Sequence, residues 1–238
     1  DVDNIGDITF SDVDGTITVD AGTDFGDADS VEIVAEDSDT TVQMTFAQFG
    51  TLDDGDVDVE EDNGNDATLA LTDIPEDASV DLGNVSGDAD VTLIVEDFVG
   101  APMVNGVGFE ITSGGDTVTL SVSGTSDLTA VELSDLDGLD AIELKDGATL
   151  TLTAEQLEEL IENRDGVSIA DGATATLNVT DLSDQELDLD ALVADNPGLS
   201  IGTITIEDTN TAITIDEDTT FGGAAEIITP TADENDPF

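Results

Sequence analysis

The chain has 238 residues, enough for one large or two modest domains. It carries 59 acidic side chains against two basic ones, Lys145 and Arg164, for a formal net charge of −57. Cys, His, Trp and Tyr are all absent. Nucleic acid is excluded as a partner, because phosphates must be neutralised by Lys and Arg. Anionic membrane surfaces are excluded for the same reason. Missing Cys and His remove zinc, haem, iron–sulfur and thiol chemistry, together with nucleophile–histidine catalysis. The expectation is a protein that is not an enzyme.

High net charge commonly accompanies disorder. Here 38% of the residues are hydrophobic and only five are proline, and apolar residues alternate with Thr over long stretches. Folded structure is expected over residues 1–228. Residues 229–238 (TPTADENDPF) read as an extended tail. No apolar run is long enough to cross a bilayer. The chain starts at Asp1 without Met or an apolar leader, so it reads as a processed form or an excised piece.

An acidic turn followed by an alternating strand recurs in chain order. The copies are 14–19 (DGTITV), 39–46 (DTTVQMTF), 66–71 (DATLAL), 88–95 (DADVTLIV), 116–122 (DTVTLSV), 146–153 (DGATLTLT), 171–179 (DGATATLNV) and 208–215 (DTNTAITI). Their first Asp residues step by 25, 27, 22, 28, 30, 25 and 37. A second short strand precedes most anchors, at 31–35, 57–61, 80–85, 109–112, 142–145 and 167–170. Period-two alternation puts Val, Ile, Leu and Phe on one face and Thr, Ser and Asp on the other.

A unit this short cannot bury its apolar face alone, so repeats of this period stack. The expected fold is all-β: an irregular β-solenoid of about eight strand–turn–strand units with two short helical insertions. Asp-Gly is also a two-residue hairpin turn, so the alternative is tandem β-sandwich domains. The expected division is a first segment at 1–97, an uncharged connector at 98–109, a second segment at 110–228 and the tail at 229–238. The connector (FVGAPMVNGVGF) reads as a buried loop or as a contact surface for a neighbouring copy.

Two connectors carry helix signals. Thr153 with Gln156 forms a capping box, Leu157, Leu160 and Ile161 share one helical face, and the residues up to Gly166 stop the helix. Ser183 repeats the device before Leu187, Leu192 and Val193, ending at Asn196–Gly198. Both helices are expected to pack structurally.

Closely spaced carboxylates on Gly-containing turns are the candidate chemistry. They are Asp12 and Asp14; Asp53, Asp54 and Asp56; Asp88 and Asp90; and Asp135, Asp137 and Asp140. Calcium takes six to eight oxygen ligands, and turns add backbone carbonyls to Asp side chains. Asp-x-Asp-Gly is a fragment of the EF-hand loop, which no stretch completes with its closing Glu. Paired carboxylates also serve glycoside hydrolysis, but a sugar cleft without Trp or Tyr is not expected. Asn84-Val-Ser86 and Asn178-Val-Thr180 match the glycosylation sequon.

The charge demands counterions. Two unit charges about 7 Å apart in water repel by roughly 0.6 kcal/mol, and only two internal cations are present. High salt or divalent cations outside the cell would supply the rest.

Residues 146–157 (DGATLTLTAEQL) and 167–179 (VSIADGATATLNV) resemble repeats of large, acidic, Cys-free bacterial surface proteins, including S-layer proteins and RTX-type calcium-dependent β-solenoid exoproteins. The glycine-rich RTX nonapeptide itself is missing. The resemblance implies export, a cell-surface location and bound calcium. The expected function is therefore a secreted structural protein, a subunit or segment of an S-layer or filament, whose partner is a second copy of itself. The alternative is a fragment of a giant adhesin that binds a surface or a cell-surface glycan.

Overall fold

The computed structural model describes residues 6–11, 14–25, 28–35, 37–52, 56–61, 65–83, 85–87, 90–102, 108–112, 117–182, 188–206 and 224–228. The repeat expected at 208–215, the tail at 229–238 and residues 103–107 of the connector lie outside them.

The described residues are mostly strand. The first nine strands are β1 (Gly6–Ser11), β2 (Gly15–Thr18), β3 (Ala28–Ala35), β4 (Thr40–Thr45), β5 (Asp56–Glu61), β6 (Ala67–Thr72), β7 (Ser79–Asp81), β8 (Val85–Gly87) and β9 (Asp90–Glu96). Then come β10 (Glu110–Thr112), β11 (Thr117–Ser123), β12 (Thr125–Asp127), β13 (Ala141–Leu144), β14 (Thr149–Thr153), β15 (Gly166–Ile169), β16 (Ala175–Thr180), β17 (Leu199–Thr205) and β18 (Glu226–Ile228). The helices are α1 (Phe46–Phe49), α2 (Ala154–Asn163) and α3 (Leu189–Asp195), with a 3-10 turn at Leu133–Leu136.

Four sheets result, ordered β1-β3-β5-β8, β10-β7, β15-β13-β11-β9-β6-β4-β2 and β12-β14-β16-β17-β18. Every pair of described register is parallel. This overturns the expected fold. The chain is mostly β, but its strands are dealt into several separate, all-parallel sheets rather than the expected irregular β-solenoid with two helical insertions, and the described residues include three helices. The tandem β-sandwich alternative fails too, since those sheets pair their strands antiparallel.

The physical reason is that alternation says which face of a strand is buried, never which strand lies beside it. The two strands flanking an acidic turn do not pair. β3 lies in the four-stranded sheet and β4, just beyond it, in the seven-stranded one. Parallel pairing needs a crossover connection, and here the intervening strand of another sheet supplies much of it.

The chain divides into two compact units. One comprises Asp1–Val95, Ala101–Ser121 and Val131–Ala141, the other Glu96–Gly100, Val122–Ala130 and Ile142–Phe238. In the first, Val31 and Ile33 of β3 and Val57 and Val59 of β5 are fully buried, as are Val42 of β4 and Leu69 and Leu71 of β6. In the second, Leu150, Leu152, Leu177, Val179 and Ile204 form the inner face of the five-stranded sheet. Leu157 and Leu160 of α2 and Leu189 of α3 are buried with them. Burying each such side chain contributes about 1.5–3 kcal/mol.

The capping box at Thr153 forms as expected. The Thr153 hydroxyl accepts from Gln156 N at 3.1 Å, and Gln156 Oε1 accepts from Thr153 N at 2.8 Å. Ile161, expected on the buried face, is instead 40% exposed, because the helix buries only one narrow stripe. Residues 183–187, including the expected cap at Ser183 and Leu187, lie outside the described residues. α3 is capped by Asp188, whose Oδ1 accepts from Ala191 N at 3.0 Å.

One glycine is dictated by sheet pairing. Gly87 has φ +88, and a Cβ there would lie 2.1 Å from the Val59 carbonyl oxygen of its partner on β5. Gly87→Ala is expected to cost about 3 kcal/mol or more, from strain and collision together. A denaturant melt of the variant checks this.

Candidate metal centre

Of the ten candidate carboxylates, Asp12, Asp53, Asp54 and Asp88 lie outside the described residues. Asp14 sits exposed just before β2. Asp56 opens β5 opposite Ser30, and Asp90 opens β9 opposite Thr68. Asp135 lies in the 3-10 turn, Asp137 ends it, and Asp140 precedes β13.

The last three share a loop but differ in circumstance. Asp140 Oδ2 accepts from Val118 N at 2.8 Å, so its carboxylate already serves the backbone. Asp135 Oδ2 is buried and has no hydrogen-bond partner. A buried carboxylate oxygen without a donor is costly, and a cation would relieve that cost. Among the described residues no three acidic side chains converge as a set that could hold a metal ion. Among the described residues no preassembled calcium cage is on display, and Asp135 carries the one buried carboxylate oxygen there without a hydrogen-bond partner.

What sequence reasoning missed is the work the turn carboxylates do for the backbone. Asp39 Oδ1 accepts from Asp66 N at 3.0 Å, and Asp97 Oδ1 from Thr125 N at 2.7 Å. Asp146 Oδ1 accepts from both the backbone N–H and the hydroxyl of Thr174, at 3.0 and 3.2 Å. Each bond ties one turn to a turn 27 or 28 residues later. Hydrogen bonds to a charged acceptor are about twice as strong as neutral ones. The spacing of the anchor Asp residues carried this signal at one place, Asp39 and Asp66, whose step equals the 27-residue offset of their bond. Asp97 further needs a small neighbour, since a Cβ on Gly124 would lie 2.3 Å from its Oδ1.

The two cations are committed locally and both lie in the second unit. Lys145 Nζ pairs with Glu143 Oε2, and Arg164 Nε lies 3.8 Å from Glu159 Oε1. Counterions for most of the charge must come from solution.

The Asn178 sequon is occupied by structure. Its Oδ1 accepts from Thr203 N at 2.9 Å and its Nδ2 donates to Thr151 Oγ1 at 3.4 Å. A glycan on that nitrogen would compete with the bond to Thr151. Asn84 lies outside the described residues.

No helix among the described residues is long and apolar enough to cross a membrane. No protein-family model matches the chain, and no curated protein or solved structure is significantly similar to it.

Proposed function

We propose that this chain is a secreted structural protein, a subunit or segment of an extracellular array, whose acidic turns are held by divalent cations and whose partner is a second copy of itself. The observation that carries this reading is the open edge of the first unit. Among the described residues β2 ends the seven-stranded sheet with a single strand neighbour, and Gly15, Thr16 and Thr18 are exposed. β1 ends the four-stranded sheet in the same way. Open edges offer rows of backbone donors and acceptors to another chain. A head-to-tail contact that does not close on itself propagates into a fibre.

The acid balance supports the same reading. With 59 carboxylates and two cations, copies repel one another unless cations lie between them, so assembly would be switched on by extracellular calcium. Absence of Cys, His, Trp and Tyr leaves little chemistry for catalysis and favours a structural role.

The test is electron microscopy and light scattering of the purified chain with calcium and with chelator. Filaments or sheets are expected with calcium only. The double variant Thr16→Lys, Thr18→Lys, which places charge along the β2 edge, is expected to stay dispersed. A wild-type chain that remains monomeric at every calcium concentration would overturn the proposal.

A further inference from the structure

The outer face of the five-stranded sheet differs from the rest of this chain. Thr149, Thr151 and Thr153 of β14 stand directly opposite Thr176, Asn178 and Thr180 of β16. All six are half-buried, as expected of side chains standing on a flat sheet, while Leu150, Leu152, Leu177 and Val179 point the other way and are fully buried. The first row extends in register to Thr125 of β12 on one side and Ser200 of β17 on the other. Charge appears only at the margins, with Asp127 on β12 and Glu226 on β18. In a chain that is 26% charged, this block of hydroxyl and amide groups carries none. The comparable face of the first unit is interrupted, because Gln43 and Ala70 stand in its middle row and Asp90 in its first.

The geometry points to crystalline water as the ligand: we propose that this face binds ice. Adjacent strands lie about 4.8 Å apart, and alternate residues along a strand about 6.6 Å. The Thr side chains of β14 and β16 therefore form a two-dimensional grid, with spacings comparable to those of oxygens on the faces of ice. The Thr153 hydroxyl also caps α2, Thr180 Oγ1 donates to the Leu152 carbonyl and Asn178 bonds to Thr151 and Thr203, which holds these side chains in place.

Three features select this occupant. The block is uncharged, so it suits a neutral partner and not a cation or a basic protein. Its eight uncharged positions, each about 4.8 by 6.6 Å, cover about 250 Å². That is about a third of the ~800 Å² per partner that a stable protein interface buries, and no aromatic anchor stands in it, which disfavours a second copy. Flat binding of a crystalline polysaccharide would use stacking rings, and the chain has no Trp or Tyr.

The face lies wholly within the second unit, and the proposal does not depend on the assembly reading. Its test is thermal hysteresis and inhibition of ice recrystallisation by the whole chain in calcium-containing buffer. Two variants, Thr151→Lys and separately Thr176→Lys, place a long charged side chain on the grid. Glu162→Lys, exposed on α2, controls for the charge change, and circular dichroism confirms that each variant is folded. The expected result is ice activity in the wild type and in Glu162→Lys, lost in whichever grid variants fold. Absence of ice activity in the folded wild type would overturn the proposal. So would full activity in a folded grid variant, or retention on chitin or cellulose without effect on ice.

Discussion

In about 10 mM calcium the chain is expected to melt well above its melting temperature in chelator with sodium chloride at matched ionic strength. Any salt screens carboxylate repulsion, whereas a carboxylate oxygen such as Asp135 Oδ2, buried without a donor, gains most from a coordinating ion. Extracellular calcium modules have dissociation constants near 10⁻⁴–10⁻³ M. At about 10 mM calcium, each native-state site of that strength contributes roughly 1.4–2.7 kcal/mol. Two or three sites then contribute about 3–8 kcal/mol, comparable with the whole stability of a domain. Equal melting temperatures in the two buffers would reduce the role of calcium to diffuse screening. The turn carboxylates would then act through backbone hydrogen bonds alone, as Asp39, Asp97 and Asp146 do.

Replacing Gln156 by Ala is expected to destabilise the second unit by about 2–4 kcal/mol. Gln156 is 2% exposed. Its Oε1 caps Thr153 N, and its Nε2 donates to the Leu128 carbonyl at 2.8 Å, so one side chain ties the start of α2 to the segment after β12. Ala would leave the buried groups without partners, each costing its desolvation. On a chain of this length the melting temperature should fall by roughly 4–16 °C. Gln156→Glu keeps the acceptor but sets a buried carboxylate oxygen against the Leu128 carbonyl, and should be at least as destabilising. A variant as stable as wild type would mean that water replaces both bonds. Gln48 repeats the device in the first unit, accepting from Thr45 N and donating to the carbonyls of Asp20 and Thr23. The same four-residue pattern, Thr-x-x-Gln, marks both.

That pair shows what local sequence carries. The box at Thr153 was legible because a polar cap, a Gln three residues on and an apolar stripe come together. The box at Thr45 has the same first two signals, but α1 is only four residues long, too short to show a helical stripe. Ile161 went the other way: it matches the helical period yet is exposed, because helix position relative to a neighbour is not a local property. The carboxylates divide likewise. Their abundance and their place on turns are read from sequence, while the N–H donor at Asp140 Oδ2 and the lack of one at Asp135 Oδ2 are consequences of tertiary placement.

By itself, the sequence determined strand character, which face of each strand is buried, the Thr-rich complement of that face and the need for outside counterions. These follow from period-two alternation and from charge, both of which act over a few residues. Tertiary structure decided the partner of each strand, the parallel sense of every described pair and the division into several sheets. It also decided the grid that sets Thr149 opposite Thr176 and Thr151 opposite Asn178. Alternation is blind to register because any two alternating strands can pair. Only the lengths of the crossovers, the packing of Leu against Leu on the buried side and the turn carboxylates reaching across some 27 residues select one arrangement.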